Sequence, residues 1–394
     1  MSILSDNSTK RSVVIVGGGF AGIGLFNILE KTLDPQTTSI TLITPRAYFV
    51  HLPAVLRMIV TADEDLEDKI LLPLTERFNQ SNKRVVLGKV ASITDDTEDG
   101  FVTLENGEQV GYTVLALATG SNWEGCLNFP DGISEVRRHD KEWRTRFANA
   151  KSIVLVGGGG IGFELAGEIM DDWPEKKVTI VHSKPLLLND TYPNNWRKSV
   201  NENIEKRGVE LVLNDRILDP VPKGGKVITQ NGLTLDADLV IPTRGPKPNT
   251  QFIGESLGPN TLNSFGEVKV LPTFQVLGFP RIFAIGDIVD VKEQKSARKG
   301  SKHCKISANN IKVILAEGTT LEVSHGYFNR LLAFLRPTLL PYPGCVEILP
   351  LSNGKNYGTS YLGVLWGITF GDWFTMRTAS ENLYMGFVKR AMNL

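Results

Sequence analysis

The hydrophobic pattern of the first 44 residues switches from strand to helix and back to strand. From Ser12 to Val16 the chain is a short apolar, β-branched run. Glycines follow, then about 12 residues with helical spacing, then a second strand-like run, SITLI, at 39–43. Strand, tight turn, helix and strand make a βαβ unit, whose parallel sheet needs cover on both faces. The same order recurs downstream in SIVLV at 152–156, a glycine-rich turn, a helix through Met170, and KVTIVH at 177–182. Each unit has a matching sequel. FVTLENGEQVGYTVLALATG signals a hairpin at Asn106–Gly107 and then an apolar strand ending at Thr119 and Gly120. KVITQNGLTLDADLVIPTRG repeats this through Asn231–Gly232 and ends at Thr243 and Gly245. RIFAIGDIVD at 281–290 predicts another strand, running into Gly286 and Asp287. Beyond residue 318 alternating, aromatic-rich segments (CVEILPL, SYLGVLW) take over.

A chain of 394 residues exceeds what one hydrophobic core organises, so two or three domains are expected. Lys plus Arg and Asp plus Glu balance at 43 each, leaving no long-range field to hold a polyanion, which argues against nucleic acid as a partner. The three cysteines, Cys126, Cys304 and Cys345, are odd in number and far apart. They fit neither a disulfide framework nor a metal cluster, so a reducing, cytoplasmic setting and no metal site are expected. The N-terminal MSILSDNSTKRS lacks a signal-peptide core. No run reaches the roughly 20 apolar residues that span a bilayer. Ser2 stands where N-myristoylation needs glycine, so membrane contact has to come from elsewhere in the chain.

Gly17, Gly19 and Gly22 stand at G-x-G-x-x-G spacing directly after a strand. One glycine makes the tight turn, the second lets backbone approach a pyrophosphate, the third packs helix on sheet, and the anion rests on the helix N-terminus. One such match is weak. A second, Gly157, Gly159 and Gly162, in the same strand and helix context makes two ordinary glycine turns a poor explanation. The predicted fold class is therefore α/β, with two Rossmann-type dinucleotide-binding domains and a small α+β C-terminal domain. The first domain is discontinuous (1–120 and 240–317), the second spans 121–239, and the C-terminal interface domain spans 318–394. A ribose-binding acid is expected about 20 residues past the glycines. The first unit has Thr44, Pro45 and Arg46 there, and the second has His182, Ser183 and Lys184. Without a carboxylate to repel a 2′-phosphate, Ser183 and Lys184 point to a unit that takes NADPH as well as NADH; a solvated surface lysine is the alternative for Lys184. Glu164 and Glu168, four apart on one helix face near an N-terminus, are favoured there by the dipole alone.

Two such units, with Thr119–Gly120 and then Gly286–Asp287, resemble the two-dinucleotide flavoproteins of the pyridine nucleotide reductase superfamily over nearly the whole chain. Within it, VVIVGGGFAGI, YFVHLPAVLRMIV, VGGGGIGFELAGEI, VTIVHSKPLL, FAIGDIVDV and LSNGKNYGTSYLG are similar to the apoptosis-inducing-factor-like group that includes the ferroptosis suppressor proteins. The resemblance implies that the first unit binds FAD and the second NADH or NADPH. It implies that Asp287 contacts the ribityl or pyrophosphate part of FAD, and that Glu164 lies near the nicotinamide, with Glu168 structural. It further implies hydride transfer from NAD(P)H to FAD, then electron transfer to a quinone such as ubiquinone. The rival readings are a reductase of a small iron–sulfur protein and a redox-sensing, death-signalling module.

Residues 47–57 bear on the acceptor. Disulfide reductases of the superfamily place a C-x4-C pair after the first unit; here AYFVHLPAVLR has no cysteine, so electrons leave the flavin directly. His51 in this stretch is a candidate hydrogen-bond partner of the isoalloxazine or proton donor to a reduced quinone, the alternative being a loop histidine with a structural bond. At the C-terminus Trp366, Phe370, Trp373, Phe374, Tyr384 and Phe387 mix with Arg377, Lys389 and Arg390. This segment reads either as core with one homodimer or domain contact, or as a membrane interface. In the second reading residues 381–394 form a peripheral helix on an intracellular membrane such as the mitochondrial outer membrane or a lipid droplet.

Overall fold

The computed structural model describes residues 10–61, 64–74, 82–96, 100–318, 338–381 and 383–386. The apolar run that opens the chain becomes the strand Arg11–Val16, with Val13, Val14 and Ile15 fully buried. It sits inside a six-stranded sheet whose spatial order is Gln275–Val276, Phe279–Ala284, Val114–Leu117, Arg11–Val16, Thr38–Thr44, Lys83–Leu87. All neighbours pair in parallel except the first two strands, which are antiparallel. Parallel neighbours need crossovers, and the helices Phe20–Thr32 and Ala297–Glu317 pack against each other as cover. The second of these helices gives a weak signal in the sequence, because its buried face carries small and polar residues, Gly300, His303, Ser307 and Asn310 among them.

The second unit repeats the design as a four-stranded parallel sheet ordered Glu210–Leu213, Lys177–His182, Ser152–Val156, Leu239–Pro242. The apolar run LVIP pairs with Ser152–Val156 before the chain turns back, so this sheet runs past the boundary expected at 239. The two segments that cross between the units pair with each other, Ser121–Asn122 antiparallel to Lys247–Pro248. The hairpins form at the Asn-Gly pairs: Gly107 and Gly232 have φ of +85° and +87°, backbone that glycine adopts without steric cost.

Beyond the second unit, Ile348–Ser352, Gly358–Leu362 and Ile368–Phe370 form a three-stranded antiparallel sheet, followed by the helical turn Asp372–Thr375. This layer rests on the glycine helix of the second unit, Gly160–Asp172. A Cβ on Gly167 would come within 2.6 Å of backbone atoms of Asn353 and Gly354. The helix expected over 381–394 lies outside the described residues, apart from 381 and 383–386.

Candidate cofactor and electron-transfer site

The two glycine turns separate their three glycines by role. A Cβ on Gly17 (φ +120°) would stand 2.2 Å from the Ala118 carbonyl oxygen, and one on Gly22 would stand 1.8 Å from the carbonyl oxygen of Gly17. These two glycines are demanded by the protein's own backbone. At Gly19 a Cβ would meet nothing within 4 Å, so the room there is left for something other than protein. The second turn matches. Gly157 (φ +128°) presses on Thr243 at 2.8 Å, Gly162 on the Gly157 carbonyl at 2.1 Å, and Gly159 faces open space. Neither Gly19 nor Gly159 brings a side-chain cap to the helix it starts, and neither helix has an acid in its first turn. The positive ends of both dipoles are thus available to an anion. The residues fit a dinucleotide pyrophosphate in each unit.

Around the first turn the fold gathers residues far apart in sequence. Gly286 approaches the first turn of the glycine helix so closely that its Cβ would lie 3.0 Å from that of Ala21. Asp287 follows, accepting a 3.0 Å hydrogen bond from the Ser121 hydroxyl; burial pushes its carboxyl up, opposed by Ser121, Lys295 and His303. Thr119 donates to the Asn249 carbonyl at 2.6 Å, and the Gly120 carbonyl (φ +66°) accepts from Asn249 at 2.9 Å. Gly17, Gly19, Gly22, Thr119, Gly120 and Asp287 thus converge at one end of the first sheet. Ser121 and Asn249 join them without a local signal.

In the second unit His182 packs beneath the turn. Its Nδ1 accepts from the Gly158 N–H at 3.1 Å, so its other nitrogen carries the proton and donates to the Leu188 carbonyl at 3.3 Å. Burial lowers its pKa, keeping it neutral. Ser183 and Lys184 are exposed beside it. Lys184 Nζ lies 3.5 Å from Asp190, which also accepts from Arg197 at 2.7 Å; the two cations hold the Asp190 carboxyl below its usual range. The chain therefore brings a carboxylate next to Lys184 by a loop, where the reading by spacing found none.

Glu164 and His51 both meet the C-terminal segment, at different residues. Glu164 Oε1 accepts from the backbone N–H and the hydroxyl of Ser352, both at 3.1 Å. Burial outweighs these bonds and pushes the carboxyl up to about 7. Burial and the Glu164 carboxylate together raise the nearby Tyr384 phenol, whose hydroxyl finds no hydrogen-bond partner among the described residues. His51, 2 % exposed, uses Nε2 on the Leu383 carbonyl at 2.6 Å, and burial lowers its pKa. Leu383 and Tyr384 both hold positive φ, 45° and 58°, a conformation that costs a non-glycine residue about 1–2 kcal/mol. Glu168, one helical turn beyond Glu164, forms a buried bidentate pair with Arg57 at 2.9 Å.

Two sheet units, each with a glycine turn at a helix N-terminus, define a two-dinucleotide oxidoreductase. The chain belongs to the pyridine nucleotide-disulphide oxidoreductase family, whose model matches residues 11–315. It is an FAD-dependent NAD(P)H oxidoreductase. It is 40% identical to an FAD-dependent oxidoreductase of Flammulina velutipes over 83% of this chain and 97% of that protein. It is 32% identical to ferroptosis suppressor protein 1 of Mus musculus over 92% of this chain and 91% of that protein. Among solved structures, the sulfide:quinone oxidoreductase of Aquifex aeolicus shares the fold at 18% identity, with a TM-score of 0.75 over 97% of this chain and 92% of that one.

Proposed function

We propose that the chain is an NAD(P)H:quinone oxidoreductase. The observation that carries the reading is the state of its cysteines. All three are free thiols; Cys126 and Cys304 are buried, and burial pushes both up to about 12, which keeps them protonated and unreactive. No thiol pair stands ready to relay electrons, so the two electrons pass to an acceptor that meets the flavin itself. Bound FAD supplies the capacity to accept hydride from NAD(P)H and to release electrons again. In this reading Gly17, Gly19, Gly22, Thr119, Gly120 and Asp287 hold FAD. Gly157, Gly159, Gly162, Ser183 and Lys184 hold NADH or NADPH.

The overall balance is NAD(P)H, quinone and one proton giving NAD(P)⁺ and quinol. That proton needs a group that exchanges it near neutral pH. Glu164, with its carboxyl at about 7, is matched to this task. His51 is a positioning residue instead, its Nε2 proton committed to the Leu383 carbonyl. Steady-state turnover with NADH and NADPH against quinones of several chain lengths, ferricyanide and oxygen tests the reading. Rapid quinone reduction with slow oxygen consumption supports it. Turnover with ferricyanide alone sinks it.

A further inference from the structure

The chain from Gly358 to Phe370 folds as a hairpin whose tip is built against the usual rules. In the turn Val364–Gly367, closed by a 2.9 Å bond from the Gly367 N–H to the Val364 carbonyl, both central residues have positive φ: Leu365 at 48° and Trp366 at 69°. Asn and Gly suit such a turn because they tolerate left-handed backbone, whereas leucine and tryptophan do not. The strain secures no burial: Leu365 is 75% exposed and Trp366 is 99% exposed. Trp373 follows on the next helical turn at 75% exposure, with Phe374 stacked on Phe370 at 4.2 Å between ring centroids.

We propose that the Leu365–Trp366 tip inserts into the headgroup boundary of a lipid bilayer. Charge selects this occupant over a protein. Residues 356–371 include no charged side chain, as a tip entering an apolar phase requires. Of the exposed cations near the run, Lys355 precedes it and lies 4.0 Å from Asp172, and Arg377 follows beyond Asp372; the two line one cavity of about 330 Å³, shared with Arg57 and Glu381. Asp372, the acid nearest the run, is exposed, and its carboxylate accepts from the Gly358 N–H at 2.8 Å, at the end of the strand Gly358–Leu362 away from the tip. An uncharged aromatic tip backed by cations matches a surface of anionic headgroups over acyl chains. The inference deepens the quinone reading and rests partly on it, since a long-chain quinone dissolves in the bilayer and no helix among the described residues is long and apolar enough to cross one. It moves the contact from the segment 381–394 to the hairpin.

The test is co-sedimentation of the full chain with vesicles of phosphatidylcholine and phosphatidylserine, comparing wild type with Leu365→Asn/Trp366→Gly. The substitution installs the residues the turn prefers, so the melting temperature should stay level or rise. Partition onto vesicles should fall on the order of tenfold, as expected for removing large apolar side chains from an interface. Turnover of a short, soluble quinone should be unchanged, and that of a long-chain quinone in vesicles should fall. The proposal is overturned if wild type stays in the supernatant or if the variant partitions equally well. It is also overturned if the variant loses only a dimer seen by light scattering. If wild type binds vesicles through the tip but reduces no quinone of any length, the acceptor reading fails and the anchor stands.

Discussion

Glu164 retains its proton in the folded chain to about pH 7, whereas an ordinary carboxyl gives it up near 4.5. The native state therefore binds more protons than the unfolded one across that window. Stability falls as pH rises from about 4.5 through about 7, and Glu164→Gln should remove this drop, as read from urea midpoints at pH 5 and pH 8. In its proposed role as proton donor, Glu164 would lose its active form through the same range. Wild-type quinone turnover should decline above about pH 7, while Glu164→Gln should be roughly 10- to 100-fold slower with no inflection there. The glycines allow a sharper assignment. Gly19→Val adds a side chain where no protein atom lies within 4 Å, so it should leave the fold intact and abolish flavin retention. Gly159→Val should keep the flavin and raise KM for NAD(P)H; colourless protein from Gly159→Val would reverse the assignment of the two units. At the ribose end, Lys184→Glu should weaken NADPH far more than NADH, and equal effects would remove Lys184 from the site. Asp190, paired with Lys184, lies beyond reach of the spacing argument because the loop 185–190 folds back on the strand end.

At the scale of elements, the two dinucleotide units are fastened to each other by a buried ion pair. Arg57, on the helix Leu52–Val60, and Glu168, on Gly160–Asp172, are 7% and 2% exposed and bonded in two places. Burial raises the Glu168 carboxyl, and the Arg57 guanidinium pulls it back down. Arg57→Met should cost about 3–5 kcal/mol by leaving the carboxylate buried and unpaired, and Arg57→Met/Glu168→Leu should recover most of it. Denaturant midpoints decide this; a single variant as stable as wild type would show that the pair contributes nothing. Sequence spacing put Glu164 and Glu168 on one helix face, but their opposite surroundings come from other elements: Ser352 and Tyr384 for one, Arg57 for the other.

For the whole molecule, the route of electrons governs the cysteine prediction. The Cys126→Ala/Cys304→Ala/Cys345→Ala variant should keep most quinone turnover, at a stability cost of about 1 kcal/mol per buried thiol from lost packing. Cys304 contributes more than volume, since its thiol meets the Ala21 carbonyl at 3.1 Å and holds the helix Ala297–Glu317 against the first glycine helix. Flavin reduction that survives while reoxidation by quinone is lost would place a thiol on the pathway.

What the sequence determined by itself is local in origin. The strand, turn and helix of each unit, and the hairpins at Asn106–Gly107 and Asn231–Gly232, follow from periodicity and from glycine's access to positive φ, which act over a few residues. The tertiary structure decided which local pieces share a site. Ala21 meets Gly286, Thr119 meets Asn249, His51 meets Leu383, and Asp190 reaches Lys184. It also decided that Trp366, which composition alone leaves as core or surface, stands almost wholly in solvent. Burial and proximity arise from packing between segments far apart in the chain, and so do the raised pKa of Glu164 and the lowered pKa of His51. A pattern of single residues carries no record of the partner that packing will supply.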